Sequence, residues 1–115
     1  MSKEITIDVP GSGLVSAFAT KPARPLAAYV LAHGAGAGMN HKFMEAVAQG
    51  LATREIATLR YQFPYMERGG KRPDTPPVAH AAVRAAVCAA TAEFPNLPLI
   101  AGGKSFGGRM TSQAQ

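Results

Sequence analysis

The sequence predicts an α/β layer on a mostly parallel sheet, with an antiparallel hairpin at its N-terminal end. Three observations carry this. Leu26–His33 (LAAYVLAH) is a near-continuous apolar run of the kind found in a strand covered on both faces. The segments between and after such runs repeat their apolar residues at helical spacing, and the first segment alternates apolar and polar residues. The 115 residues allow a single domain with a modest core.

Taken in order, Glu4–Val9 (EITIDV) alternates as a half-buried strand does, and PGSG from Pro10 to Gly13 supplies a turn into its hairpin partner, Leu14–Thr20. Leu26–His33 follows as a central parallel strand. Asn40 is the expected N-cap of a helix to about Thr53, with Phe43, Met44, Val47, Ala48 and Leu51 on one face. Glu55–Phe63 (EIATLRYQF) is a second buried strand. After the loop PYMERGGKRPDTPP, Thr75 before Pro76 and Pro77 marks a helix start, because proline tolerates the first turn. Ala79, Ala82, Val83, Ala86, Val87 and Ala90 form its inner face, and His80, Arg84 and Thr91 its outer one. FPNLP ends this helix and leads to a short strand from Leu99 to about Gly102, then to the start of a last helix.

The composition, 47% apolar and 17% charged, is that of a globular chain, and no apolar run is long enough to cross a membrane. The opening MSKEITIDVP has no apolar stretch and no cleavage site, which predicts a cytoplasmic location. Net charge is +5, but the basic residues are dispersed. Without a basic stripe interleaved with aromatics, no nucleic-acid partner is expected, and no membrane partner either. The one basic concentration, Arg68, Lys71 and Arg72, would favour acidic ligands if it flanked a pocket. Cys88, the sole cysteine, sits among alanines and is expected to be a buried apolar filler. No cofactor and no metal is expected.

LIAGGKSFGG, Leu99 to Gly108, carries the chemistry. Gly103-Lys104-Ser105-Phe106-Gly107 fits G-x-S-x-G between a predicted strand and a predicted helix. There a serine takes a strained turn, and its neighbours at two before and two after must be small. The amide of Phe106 at the new helix start would then lie beside Ser105, able to donate to an oxyanion. Two other readings stand beside this nucleophile: a glycine-rich turn without chemistry, and a phosphate-binding loop. The phosphate loop requires glycine where Pro98 stands. AHGAGAGMN, Ala32 to Asn40, follows the central strand and can present the amide of Ala35 to the same oxygen. Dinucleotide binding fails there, because Met39 and His41 occupy the positions that require glycine. His33 is expected to shape this loop together with Gly34, rather than to titrate in catalysis.

HGAGAG, LRYQFPYME, KRPDTPPVAHAAVRAAV and GGKSFGGRM, in this order between strands, resemble the KANL3/Tex30-like branch of the α/β-hydrolase superfamily, from about residue 26 onward. The resemblance, which extends to dienelactone hydrolases, implies an α/β-hydrolase sheet, Ser105 as elbow nucleophile and the loop after His33 on the oxyanion side. A small acyl substrate is then expected. The branch also includes a chromatin-complex subunit, so a non-catalytic scaffold is the alternative.

The chain departs from the family pattern after Ser105. The family order is Ser, then Asp or Glu, then His, yet FGGRMTSQAQ holds neither a carboxylate side chain nor a histidine. Residues 1–115 are therefore expected to form a partial domain, truncated after the elbow, inactive alone, and able to self-associate through an uncovered strand edge.

Overall fold

The computed structural model describes residues 2–115. β1 (Ser2–Val9) and β2 (Gly13–Thr20) pair antiparallel in a hairpin, its turn closed by the Ser12 N–H to the Val9 carbonyl at 2.9 Å. β2 then pairs antiparallel with β4 (Ile56–Tyr61). β4, β3 (Ala27–Ala32) and β5 (Leu99–Gly103) form the parallel part, and the spatial order is β1-β2-β4-β3-β5. This is a mixed sheet of the kind the resemblance implies, with its hairpin on one side.

Side chains alternate across a strand, so each face of the sheet has its own cover. Ala57, Leu59 and Tyr61 of β4 join Ala28, Val30 and Ala32 of β3 in the main core, with residues of α3 (Pro76–Glu93) and α4 (Phe106–Gln113). From α3 come Ala79, Ala82, Val83, Ala86 and Ala90, an alanine stripe that brings the helix close to the sheet. The alternate β4 residues, Thr58 and Arg60, are buried on the other face, where α1 (Lys42–Ala52) packs on β4 through Met44 and Ala48. Arg60 lies there 5.0 Å from the Phe18 ring centroid and donates to the Met39 carbonyl at 3.1 Å.

The parallel register sets the ends of three strands level, because Ala32 is opposite Tyr61 on one side and Gly103 on the other. The chain runs from β3 to β4 on one side, then crosses back to β5 on the other. The carboxyl ends of β3 and β5 therefore flank a reversal of strand order, where open α/β sheets place their ligands.

Several sequence expectations need correction. His41, not Asn40, caps α1, its Nδ1 accepting the Phe43 N–H at 3.2 Å. Phe43 is 45% exposed rather than core, since it lies at the rim of the helix stripe. The loop after β4 contains a short helix, α2 (Pro64–Glu67), tied to β2 because Glu67 accepts the Ser16 N–H and hydroxyl, both at 2.9 Å. Cys88 is exposed: it follows Arg84 by four residues and precedes Thr91 by three, which places it on their face of α3. That face is not all solvent, because His80 bonds Gln113 at 2.9 Å and Arg84 donates to the Ala114 carbonyl at 3.1 Å. Among the described residues no helix is long and apolar enough to cross a membrane.

Candidate active site

Ser105 sits between β5 and α4 with φ 51° and ψ −112°, a left-handed backbone that non-glycine residues adopt at a cost of about 1–3 kcal/mol. The surroundings hold it there. The Lys104 N–H donates to the Ala32 carbonyl at 3.1 Å and the Gly107 N–H to the Lys104 carbonyl at 3.0 Å. The Arg109 N–H reaches the Ser105 carbonyl at 2.9 Å, which starts the helix. No side-chain cap bond engages the Ser105 hydroxyl, and Ser105 is exposed.

The glycines on either side answer a steric demand. A Cβ on Gly103 would lie 2.5 Å from the Ala32 carbonyl oxygen and 2.8 Å from the Ala32 Cβ. A Cβ on Gly107 would collide with the His33 carbonyl oxygen and lie 2.7 Å from the Ala32 Cβ. The turn thus presses its backbone onto the end of β3, with no space for a side chain at either position.

Phe106 is the first residue of α4, so its N–H has no acceptor within the helix. Its ring is buried and anchors the turn: it meets the Phe63 ring at 5.2 Å and the Tyr65 ring at 6.2 Å, both edge-on. Phe63 in turn meets the His33 ring at 5.0 Å. One aromatic cluster therefore joins the loops after β3, β4 and β5.

His33 is fully buried with both ring nitrogens engaged. Nε2 accepts the Phe63 N–H at 3.0 Å, so the proton is on Nδ1, which donates to the Gly34 carbonyl at 2.7 Å. Burial lowers its pKa below 6.5, against the opposing influence of the Gly34 bond and the Asp74 charge. The ring is a neutral brace. The Tyr65 hydroxyl donates to the Ala35 carbonyl at 2.8 Å and lies 3.4 Å from that of Gly34, and Asp74 accepts the Tyr65 N–H at 3.0 Å. Gln62 accepts the Met39 N–H at 2.8 Å at the far end of the same loop.

A cleft of about 310 Å³ opens over the turn, lined by Gly34, Ala35, His41, Phe43, Lys104 and Ser105 among others. The structure thus gathers Ser105 with both loops singled out in the sequence. It adds Tyr65, Phe63, Gln62 and Phe43, whose signal was the aromatic alternation of YQFPY and the position of Phe43 at the helix start. His41 shares the cleft with Ser105, although its Nδ1 is taken by the helix cap. Arg68, Lys71 and Arg72 do not line it; Arg68 lies 3.5 Å from Asp74. Among the described residues no cluster of His, Cys, Asp or Glu could hold a metal.

Solved structures share this architecture. A lidless α/β serine hydrolase from Xanthomonas campestris superposes with a TM-score of 0.85 at 22% identity, over 98% of this chain and 55% of its own. The dienelactone hydrolase of Anabaena variabilis gives 0.81 at 20% identity, over 99% and 56%. A cold-adapted esterase from an Arctic intertidal metagenomic library gives 0.73 at 23%, over 98% and 53%. At such identities the likeness is one of fold, and the chain spans about half the length of these relatives. Curated proteins yield no significant match. The family model for the alpha/beta hydrolase domain matches residues 25–115, the stretch that holds β3, both loops and the elbow. The chain belongs to the α/β-hydrolase family.

Proposed function

We propose that this chain carries the nucleophile and the oxyanion side of a serine hydrolase acting on carboxylic esters or related acyl compounds, in the KANL3/Tex30-like branch of the family. The observation that supports it is the left-handed Ser105, whose hydroxyl has no capping duty and which shares a cleft with the loop of Ala35. In this reading the Ser105 Oγ attacks the acyl carbon, and the carbonyl electron pair moves onto oxygen. The amides of Phe106 and Ala35 receive that charge, each such donor contributing about 2.7–4 kcal/mol in an intact site. Collapse then expels the alcohol, and water releases the acid from the acyl-serine.

The serine proton has to reach a base. His33 is committed at both nitrogens and its protonation is disfavoured by burial. No carboxylate side chain or histidine follows Ser105 in the sequence. We infer that acid and base come from outside these 115 residues, and that the chain alone is close to inactive, since loss of the base in a comparable triad costs about a millionfold.

Labelling by a fluorophosphonate probe tests this. Expected are slow labelling of the chain alone and fast labelling together with whatever segment the genome encodes in frame after codon 115, both abolished by Ser105→Ala. Rapid labelling of the chain alone refutes the dependence on an outside base. No labelling in either state favours a binding scaffold.

A further inference from the structure

We propose that the cleft beside Ser105 selects acyl substrates bearing a carboxylate, and that Lys104 is the residue that reads this charge. The proposal rests on the hydrolase reading of Ser105 and adds a substrate class to it.

Lys104 immediately precedes the nucleophile and is exposed, with its stem and its head each set against one part of the cleft wall. The point where a Cβ would extend from Gly34 lies 3.5 Å from the Lys104 carbonyl oxygen and 3.8 Å from both its Cγ and Cδ, so the stem lies on the loop. Its Nζ sits 5.1 Å from the centroid of the Phe43 ring. A ring face holds an ammonium without neutralising it. Among the described residues no carboxylate pairs with Lys104, and no aspartate or glutamate lines the cleft. The Lys104 ammonium therefore shares the cleft with Ser105 and is open to a ligand. His41 adds a polar group: with Nδ1 accepting from the Phe43 N–H, Nε2 is left as the ring's remaining polar atom.

Among the described residues Lys104 is the single Lys or Arg lining the cleft, which suits a monoanion such as a carboxylate better than a doubly charged phosphate. An ammonium here also favours the oxyanion, but that benefit is common to every ester. Only discrimination between charged and neutral esters isolates recognition of substrate charge.

The test uses monomethyl glutarate and its uncharged counterpart dimethyl glutarate, titrated into the isotopically labelled chain while amide shifts of Gly34, Ala35 and Lys104 are followed. Low intrinsic activity keeps both esters intact during the titration. The monoanion is expected to bind about fivefold more tightly, the scale of one exposed ion pair. Lys104→Met, which keeps the stem on Gly34 and Phe43, should erase the preference, and Lys104→Arg should retain it. Salt at ~1 M should weaken it as well. Equal affinities in the wild type, a preference that survives Lys104→Met, or no binding of either ester would each overturn the proposal. A Lys104-dependent preference in a protein that fluorophosphonates never label would uphold anion recognition while removing the hydrolase reading, so the two failures are separable.

Discussion

At its carboxyl end β5 runs into a turn where Gly103 and Gly107 press against Ala32 and His33 with no space for a methyl group, while along its length the same strand leaves Ile100 and Ala101 exposed. Beside that exposed stretch, α3 and α4 leave a groove of about 570 Å³ lined by Val83, Val87, Cys88, Leu99 and Ala101 among others. The difference lies in what each end has to hold. The turn keeps a serine in a backbone conformation it would not choose, and the Lys104, Gly107 and Arg109 amides and the Phe106 ring hold it there. Among the described residues that line the flank none has a positive φ, and Val83, Val87, Leu99 and Ala101 carry no side-chain hydrogen bonds to satisfy.

Substitutions that add volume test this contrast most strongly. Gly107→Ala should cost about 3 kcal/mol or prevent folding, because its methyl group meets backbone atoms rather than a movable side chain. Ala101→Val on the open side should stay within about 0.5 kcal/mol. Urea unfolding monitored by circular dichroism compares the two, and equal effects would dissolve the distinction.

Removing the strain gives a smaller change of opposite sign. Ser105→Gly should stabilise the fold by about 1 kcal/mol by relieving the positive φ, while abolishing fluorophosphonate labelling. A destabilised variant would show that the serine is not strained. Tyr65→Phe deletes the bond to the Ala35 carbonyl and should cost about 1 kcal/mol, with faster hydrogen exchange in the loop after β3. Unchanged exchange there would mean that the loop is held by other contacts.

Acidity acts at the same braced end. The folded pKa of His33 is depressed, so above pH 6.5 the ring is neutral in both states and its contribution is complete. As pH falls below 6.5, the unfolded chain takes up a proton that the native ring resists. Stability therefore decreases until the folded pKa is passed. Urea midpoints between about pH 6.5 and 5 should fall with pH, and a flat profile would place His33 in a more polar setting. The smallest effect belongs to the flank: Cys88→Ser should change stability by less than about 0.5 kcal/mol, and Cys88 should react with a maleimide in the native protein. Reaction only after unfolding would mean that the groove is closed.

Much of this architecture could be read along the chain, and the errors share a cause. The strands and long helices follow from local periodicity. The G-x-S-x-G turn follows from a local steric demand that only glycine meets at its flanks. Asn40 and His41 are both competent caps, and the choice fell to His41 because its Nδ1 reaches the Phe43 amide. Cys88 looked buried because alanines surround it in sequence, yet exposure depends on which side of α3 meets the sheet. The aromatic alternation of YQFPY marks Tyr65 as a packing residue, but nothing local signals its bonds to carbonyls about thirty residues away.

The sequence by itself determined where the chain extends, coils and turns, and which serine stands at the sharp bend, since period, proline and glycine act through neighbouring atoms. Only the tertiary structure decided that His33 is a neutral brace, that Tyr65 holds the loop after β3, and that the Lys104 charge lies over the Phe43 ring in the cleft. Those facts arise where the ends of three strands come level, and strand register brings together residues that no local pattern relates.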